Sequence, residues 1–165
     1  MRFTEKQLNR VSYLVSGSYL VVDDPIETER NLTRALAEIE SPEELHLFAA
    51  NYVWECGIEL LKRILFHPLC DKGTGMLIYF TARPEFLYRR FQEGEPFLGD
   101  QSKWFGFLKM IEKICARDNF PSKRIRVNPT AVAHRNALEK PGSELIPAIM
   151  KTPTEGEPVE TFRVG

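Results

Sequence analysis

The stretch SPEELHLFAANYVWECGIELLKRILFHPLCDKGTGMLIYF, residues 41–80, decides the fold. It opens on Ser41-Pro42-Glu43-Glu44, which combines an N-cap serine, a proline at the first helical position and a capping-box acid. The helix that follows has two apolar faces. Leu45, Phe48, Ala49 and Tyr52 make one, and Leu47, Ala50 and Trp54 make the other. A helix apolar on two sides lies between neighbours. Gly57 ends or bends it. Ile58, Leu61 and Leu65 then recur at helical spacing, with Lys62 and Arg63 turned outward. Pro68 stops this second helix, because its ring disfavours helical backbone at His67. Asp71 is placed to cap a third helix, and Met76 to Phe80 are apolar all round, as in a buried central element.

Working outward, Thr4 and Gln7 form another capping box, with Phe3 and Leu8 as its hydrophobic staple. Leu8, Val11 and Val15 continue that helix until Gly17. The apolar residues 18–22, SYLVV, read equally as a helix continuation or a buried strand. Asp24-Pro25-Ile26-Glu27 starts the next helix, with Leu32, Ala35, Leu36 and Ile39 as its stripe. On the other side, Pro84 breaks the central helix and a short one runs to Phe91. Residues 92–100, QEGEPFLGD, form a loop. Trp104, Phe107, Leu108, Ile111, Ile114 and Cys115 share one face of a long helix, with Lys109, Glu112 and Lys113 opposite. Residues 123–127 read as a short extended piece. Asn128-Pro129 starts a helix expected to reach Leu138, and residues 143–150 hold a last short one. The expected fold is all-α: a single domain of short, layered antiparallel helices over residues 1–150, with little or no sheet. Residues 151–165 are a C-terminal extension, loose or docked.

Composition narrows the function classes. The net charge is −1, so no global field draws the chain to nucleic acid or an anionic membrane. No apolar run reaches the roughly 20 residues that span a bilayer, and the first ten residues lack the apolar core of a secretory signal. Three widely spaced cysteines (Cys56, Cys70, Cys115) are an odd number in apolar surroundings, which fits free thiols in a cytoplasmic protein.

The central stretch carries an ordered set of spaced residues: Glu44-Leu45-His46, Ala50-Asn51-Tyr52, Trp54, Gly57, Ile64, His67-Pro68, Cys70-Asp71, Gly73-Thr74 and Ile78-Tyr79-Phe80. In this it resembles a bacterial family, domain of unknown function 4274 (DUF4274), most closely over residues 41–120. The family usually shows alanine after the threonine, where this chain has Gly75. The resemblance implies a small helical domain and brings no activity with it. Members of several such families look like accessory or immunity-type partners of toxins, which makes a toxin protein the partner to expect by analogy.

Four constellations bear on function. His67, Cys70 and Asp71, with His46 and Cys56, sketch a metal site, but only His67 and Cys70 are close and zinc needs about four ligands in tight pairs. No metal and no cofactor is expected. The same Cys70, His67 and Asp71 make an alternative, a thiol enzyme; the structural reading is that His67 closes a helix, Pro68 turns the chain and Asp71 caps the next helix. Gly73-Thr74-Gly75 lacks the lysine and length of a phosphate loop and reads as a tight turn, with Thr74 satisfying helix-end N–H groups. A basic patch, Lys123, Arg124 and Arg126, joined by Lys62, Arg63, Arg89 and Arg90, is the second alternative, a nucleic-acid face, against which the net charge argues. The surface favoured for a partner is the loop: Phe97 and Leu98 as apolar anchors, Glu93, Glu95 and Asp100 as an acidic rim. Ser41, Trp54, His67, Pro68, Asp71 and Thr74 are read as structural. The expected function is a non-catalytic helical domain that binds another protein.

Overall fold

Helix start signals set the architecture of the computed structural model, which describes residues 3–52, 57–133 and 136–164. Thr4 caps α1 (Glu5–Val15), its hydroxyl accepting from the Gln7 N–H while the Gln7 side chain accepts from the Thr4 N–H. Asp24 caps α2 (Pro25–Ala37) and Ser41 caps α3 (Pro42–Ala50), each with proline in the first turn. There follow α4 (Glu59–Leu65), α5 (Lys72–Thr81) capped by Asp71, α6 (Pro84–Gln92) and α7 (Gln101–Ala116). The chain ends through β1 (Ile125–Arg126), α8 (Pro129–Val132), two 3-10 turns at Ala137–Glu139 and Ser143–Leu145, α9 (Ala148–Lys151) and β2 (Glu157–Pro158). The fold is predominantly helical, with only the two-stranded parallel pair β1–β2 as sheet among the described residues.

Residues 42–49 of α3 are all buried, as expected of a helix apolar on two sides. Helix α3 packs between α1 and α5, and α5 in turn meets α7, α8 and β1. Most of the largest fully buried side chains come from these elements: Leu45, Leu47 and Phe48 of α3, Met76, Ile78, Tyr79 and Phe80 of α5, and Phe107, Leu108 and Ile111 of α7, joined by Leu61 and Ile64 of α4. Burying each such side chain is worth about 1.5–3 kcal/mol.

Polar groups lock this core from one edge. Arg10 of α1 grips the fully buried Glu44 of α3 through two hydrogen bonds, Nε to Oε1 at 2.6 Å and Nη2 to Oε2 at 2.9 Å. Glu44 therefore does not close a capping box on Ser41; its Oε2 accepts from the Glu40 N–H one residue earlier instead. The guanidinium also reaches Glu40, and both acids raise its pKa, the Glu44 hydrogen bond most of all.

Several local expectations are corrected. Residues 18–22 form neither helix nor strand: turns carry them across the surface, with Val22 87% exposed. Helix α3 stops at Ala50, and the expected continuation through Trp54 falls outside the described residues, as does Cys56. The helix expected from Pro129 to Leu138 ends at Val132, since Ala133 takes an extended backbone. Residues 143–150 split into a 3-10 turn and α9, broken at Pro147. The extension is docked: Thr154 bridges the Val127 N–H and the Ile125 carbonyl.

Gly73 and Gly75 lie inside the first turn of α5 rather than in a tight turn before it. A Cβ on Gly73 would stand 2.5 Å from the Ile125 carbonyl oxygen, and one on Gly75 would stand 2.6 Å from the Phe120 ring. The ring of Phe120 thus takes the space that an alanine at position 75 would need. In the wild-type chain Gly75→Ala is expected to cost about 1–2 kcal/mol from overpacking. In a Phe120→Ala background the same change should instead stabilise by about 1 kcal/mol, the helix-propensity gain. Denaturant unfolding of the four members of this cycle reads the sign reversal.

Candidate functional site

The connection from α4 to α5 is the part of the molecule that most resembles a reactive centre in sequence, and its side chains are committed to the backbone. His67 Nδ1 accepts from the Leu69 N–H and its Nε2 donates to the Leu36 carbonyl, each at 3.1 Å, so the ring ties α2 to the turn at Pro68. The Cys70 thiol is fully buried, at 3.7 Å from the Asp71 carbonyl oxygen, and burial pushes its pKa up, with the charge of Asp71 adding to the effect. A nucleophilic thiol needs the opposite shift. Cys115 is likewise buried and pushed up to about 11.

Asp71 does far more than cap a helix. Its fully buried carboxylate accepts four hydrogen bonds. Oδ1 takes the Gly73 N–H at 2.8 Å and the Ile125 N–H at 3.3 Å; Oδ2 takes the Ser122 hydroxyl and the Arg124 N–H, each at 2.6 Å. One side chain thus starts α5 and holds residues 122–125 against it. Thr74 is corrected too: its hydroxyl pairs with the buried His46 ring at 3.1 Å rather than with helix-end N–H groups. Burial lowers the His46 pKa to about 4, although the nearby Asp71 charge pulls it upward.

A second polar centre has no counterpart in the sequence reading. Glu112, placed there on the solvent face of the long helix, is buried. Its Oε1 accepts from Tyr79 at 2.7 Å and Tyr88 at 2.5 Å, and its Oε2 from Lys109 at 3.0 Å. Lys109 also donates to the Tyr88 oxygen at 2.6 Å and lies over the Tyr88 ring. Burial raises both phenols, Tyr88 to about 12, with Glu112 adding to each. No local signal marks this cluster, because its tyrosines lie 24 and 33 residues away from Glu112. The only trace is a charged residue three positions from Lys109 on the same helix.

The loop between α6 and α7 differs from its expected form. Phe97 turns inward and packs at 5.2 Å on Phe105, which also stacks with Phe91 at 5.1 Å and 20°. Phe91 remains 58% exposed and Leu98 61% exposed. The apolar face is therefore a ladder from two helices and the loop, with Phe91 and Phe105 missed by the sequence reading. The acidic rim is corrected as well. Glu95 pairs with Arg90 at 3.0 Å, Glu93 lies 4.0 Å from Arg89, and Asp100 pairs with Lys103 at 2.8 Å. Its charge is largely balanced within the chain.

Most of the basic residues are similarly engaged. Lys123 pairs with Asp118, Arg124 with Glu43, Lys62 with Glu59 and Arg63 with Glu29. One cleft is lined by α1 and α2, at about 600 Å³ with Asn9, Tyr13 and Arg34, and another by α2 and the turn after α4, at about 640 Å³ with Leu36, Phe66 and Leu69. Among the described residues no group of three or more His, Cys, Asp or Glu is placed to hold a metal ion. No described helix is long and apolar enough to cross a membrane.

No curated protein and no solved structure matches the chain. Residues 40–115, from the residue before Ser41 to the buried Cys115, match the model of the family described as Domain of unknown function (DUF4274), which is the resemblance the central residues carry.

Proposed function

We propose that this chain is a non-catalytic helical interaction domain that binds another protein, in the manner of a cytoplasmic bacterial immunity-like or accessory factor whose partner is a toxin. The observation that carries the reading is the aromatic ladder Phe91–Phe105–Phe97 with Leu98 at its edge. Monomeric surfaces rarely leave large apolar side chains contiguous, and such patches mark contact sites. Aromatic anchors ringed by polar groups that already balance one another match the anatomy of a recognition surface, since the rim loses little when water leaves. The free, buried thiols of Cys70 and Cys115 suit a reducing compartment.

The test is affinity purification from the native host, comparing the wild-type chain with a Phe91→Ser/Leu98→Ser variant. Both residues are exposed, so the melting temperature should stay nearly unchanged. The expected result is a protein enriched with wild type and depleted about tenfold or more with the variant, corresponding to at least 1.4 kcal/mol. For the toxin reading, that protein expressed alone should arrest growth, and co-expression should relieve the arrest. Enrichment that ignores the two substitutions, or none at all, overturns the assignment of this face.

A further inference from the structure

Asn51 ends α3, and its side-chain amide is fully used. Nδ2 donates to the Leu47 carbonyl at 3.0 Å, a helix-end acceptor, and to the Phe162 carbonyl at 2.9 Å. Oδ1 accepts from the Val164 N–H at 3.0 Å. Only one orientation of the amide satisfies all three bonds. One carbonyl and the N–H two residues later are the pair an extended chain offers to a neighbouring strand, so Asn51 reads backbone without regard to sequence, as in recognition by strand addition. Side-chain selection comes from beside it. The Phe162 ring meets Phe3 edge-on at 6.1 Å, and Val164 packs half-buried on the core.

The segment seated there is lightly held. Residues 160–164 make no backbone–backbone hydrogen bond among the described residues, and Phe162 is 42% exposed. Segments with few buried contacts open at small free-energy cost. We infer that Asn51, with Phe3 beside it, is a docking site for an extended peptide carrying an aromatic residue two places before an aliphatic one, occupied here in cis by residues 162–164 and open to exchange with such a segment of a partner. The site shares no residue with the aromatic ladder, so the two readings fail separately.

The test uses the full chain and a fluorescent peptide of residues 158–164, PVETFRV, blocked at both ends. Binding to the wild-type chain should be weak, because the tethered copy competes at high effective concentration. Phe162→Ser, which loosens the cis segment, should bind the peptide about tenfold more tightly. Adding Asn51→Ala to that variant should abolish binding. Because Asn51 also closes α3, a second arm leaves the protein untouched: a peptide with proline in place of the final valine lacks the N–H that Oδ1 accepts, and it should not bind Phe162→Ser. The inference is overturned if Phe162→Ser binds no tighter than wild type, or if the proline peptide binds as well as the parent.

Discussion

Asp71→Ala is expected to lose about 3–5 kcal/mol of unfolding free energy, far above the roughly 1 kcal/mol of a helix cap alone. The reason is the number of donors left behind. Without the carboxylate, the Gly73 and Ile125 N–H groups lose a buried acceptor, and the Arg124 N–H and Ser122 hydroxyl lose a part-buried one. A buried donor without a partner costs about 1–3 kcal/mol, and only part of the set can find water after relaxation. The melting temperature should fall by roughly 10 °C or more for a chain of this size. Asp71→Asn should fall between the two, since one oxygen still accepts while the new NH2 faces donors. Equilibrium urea unfolding of the three proteins measures it. A loss near 1 kcal/mol would mean that residues 122–125 hold their place without Asp71.

Acid should destabilise the fold through His46 before the carboxylates titrate. A free imidazole titrates near 6.5, whereas burial holds this one at about 4. Between those values the unfolded chain takes up a proton that the folded chain refuses. Stability from this group is therefore complete above pH 6.5 and falls as the pH drops, until the folded ring is protonated as well. From pH 7 to 4.5 the loss should be about 2–3 kcal/mol. Glu29, Glu40 and Asp118 are held below the ordinary carboxylate range by hydrogen bonds from Arg63, Arg10 and Lys123, so their contributions disappear at lower pH. His46→Gln should flatten the profile over this window, and the difference from wild type isolates the ring. Parallel profiles for the two proteins would refute the assignment.

The helix starts at Thr4, Asp24, Ser41 and Asp71 were legible because a cap and its N–H lie within three residues of each other. Long-range pairs were not. Ser122, Arg124 and Ile125 approach Asp71 from more than 50 residues away, and no pattern around Asp71 announces them. Glu112 misled for a related reason: helical periodicity assigns a charged side chain to water unless its partners are known, and here they are two tyrosines on other helices. Residues 18–22 have strand-like composition, yet no neighbouring strand exists among the described residues to pair with them. At the loop, sequence found Phe97 and Leu98 but not Phe91 and Phe105, which join them only once α6 and α7 fold side by side.

Arg10 has a consequence for where this protein can be cut. The family match begins at residue 40 and ends at residue 115, yet Glu44 inside it is neutralised by a guanidinium that lies 34 positions earlier. An excised segment of that length would lose the packing of α1 on α3 together with the Arg10–Glu44 ion pair that anchors it. The recognisable segment and the smallest piece able to stand alone are therefore different lengths of one chain, and a fragment meant for biochemistry should begin before α1.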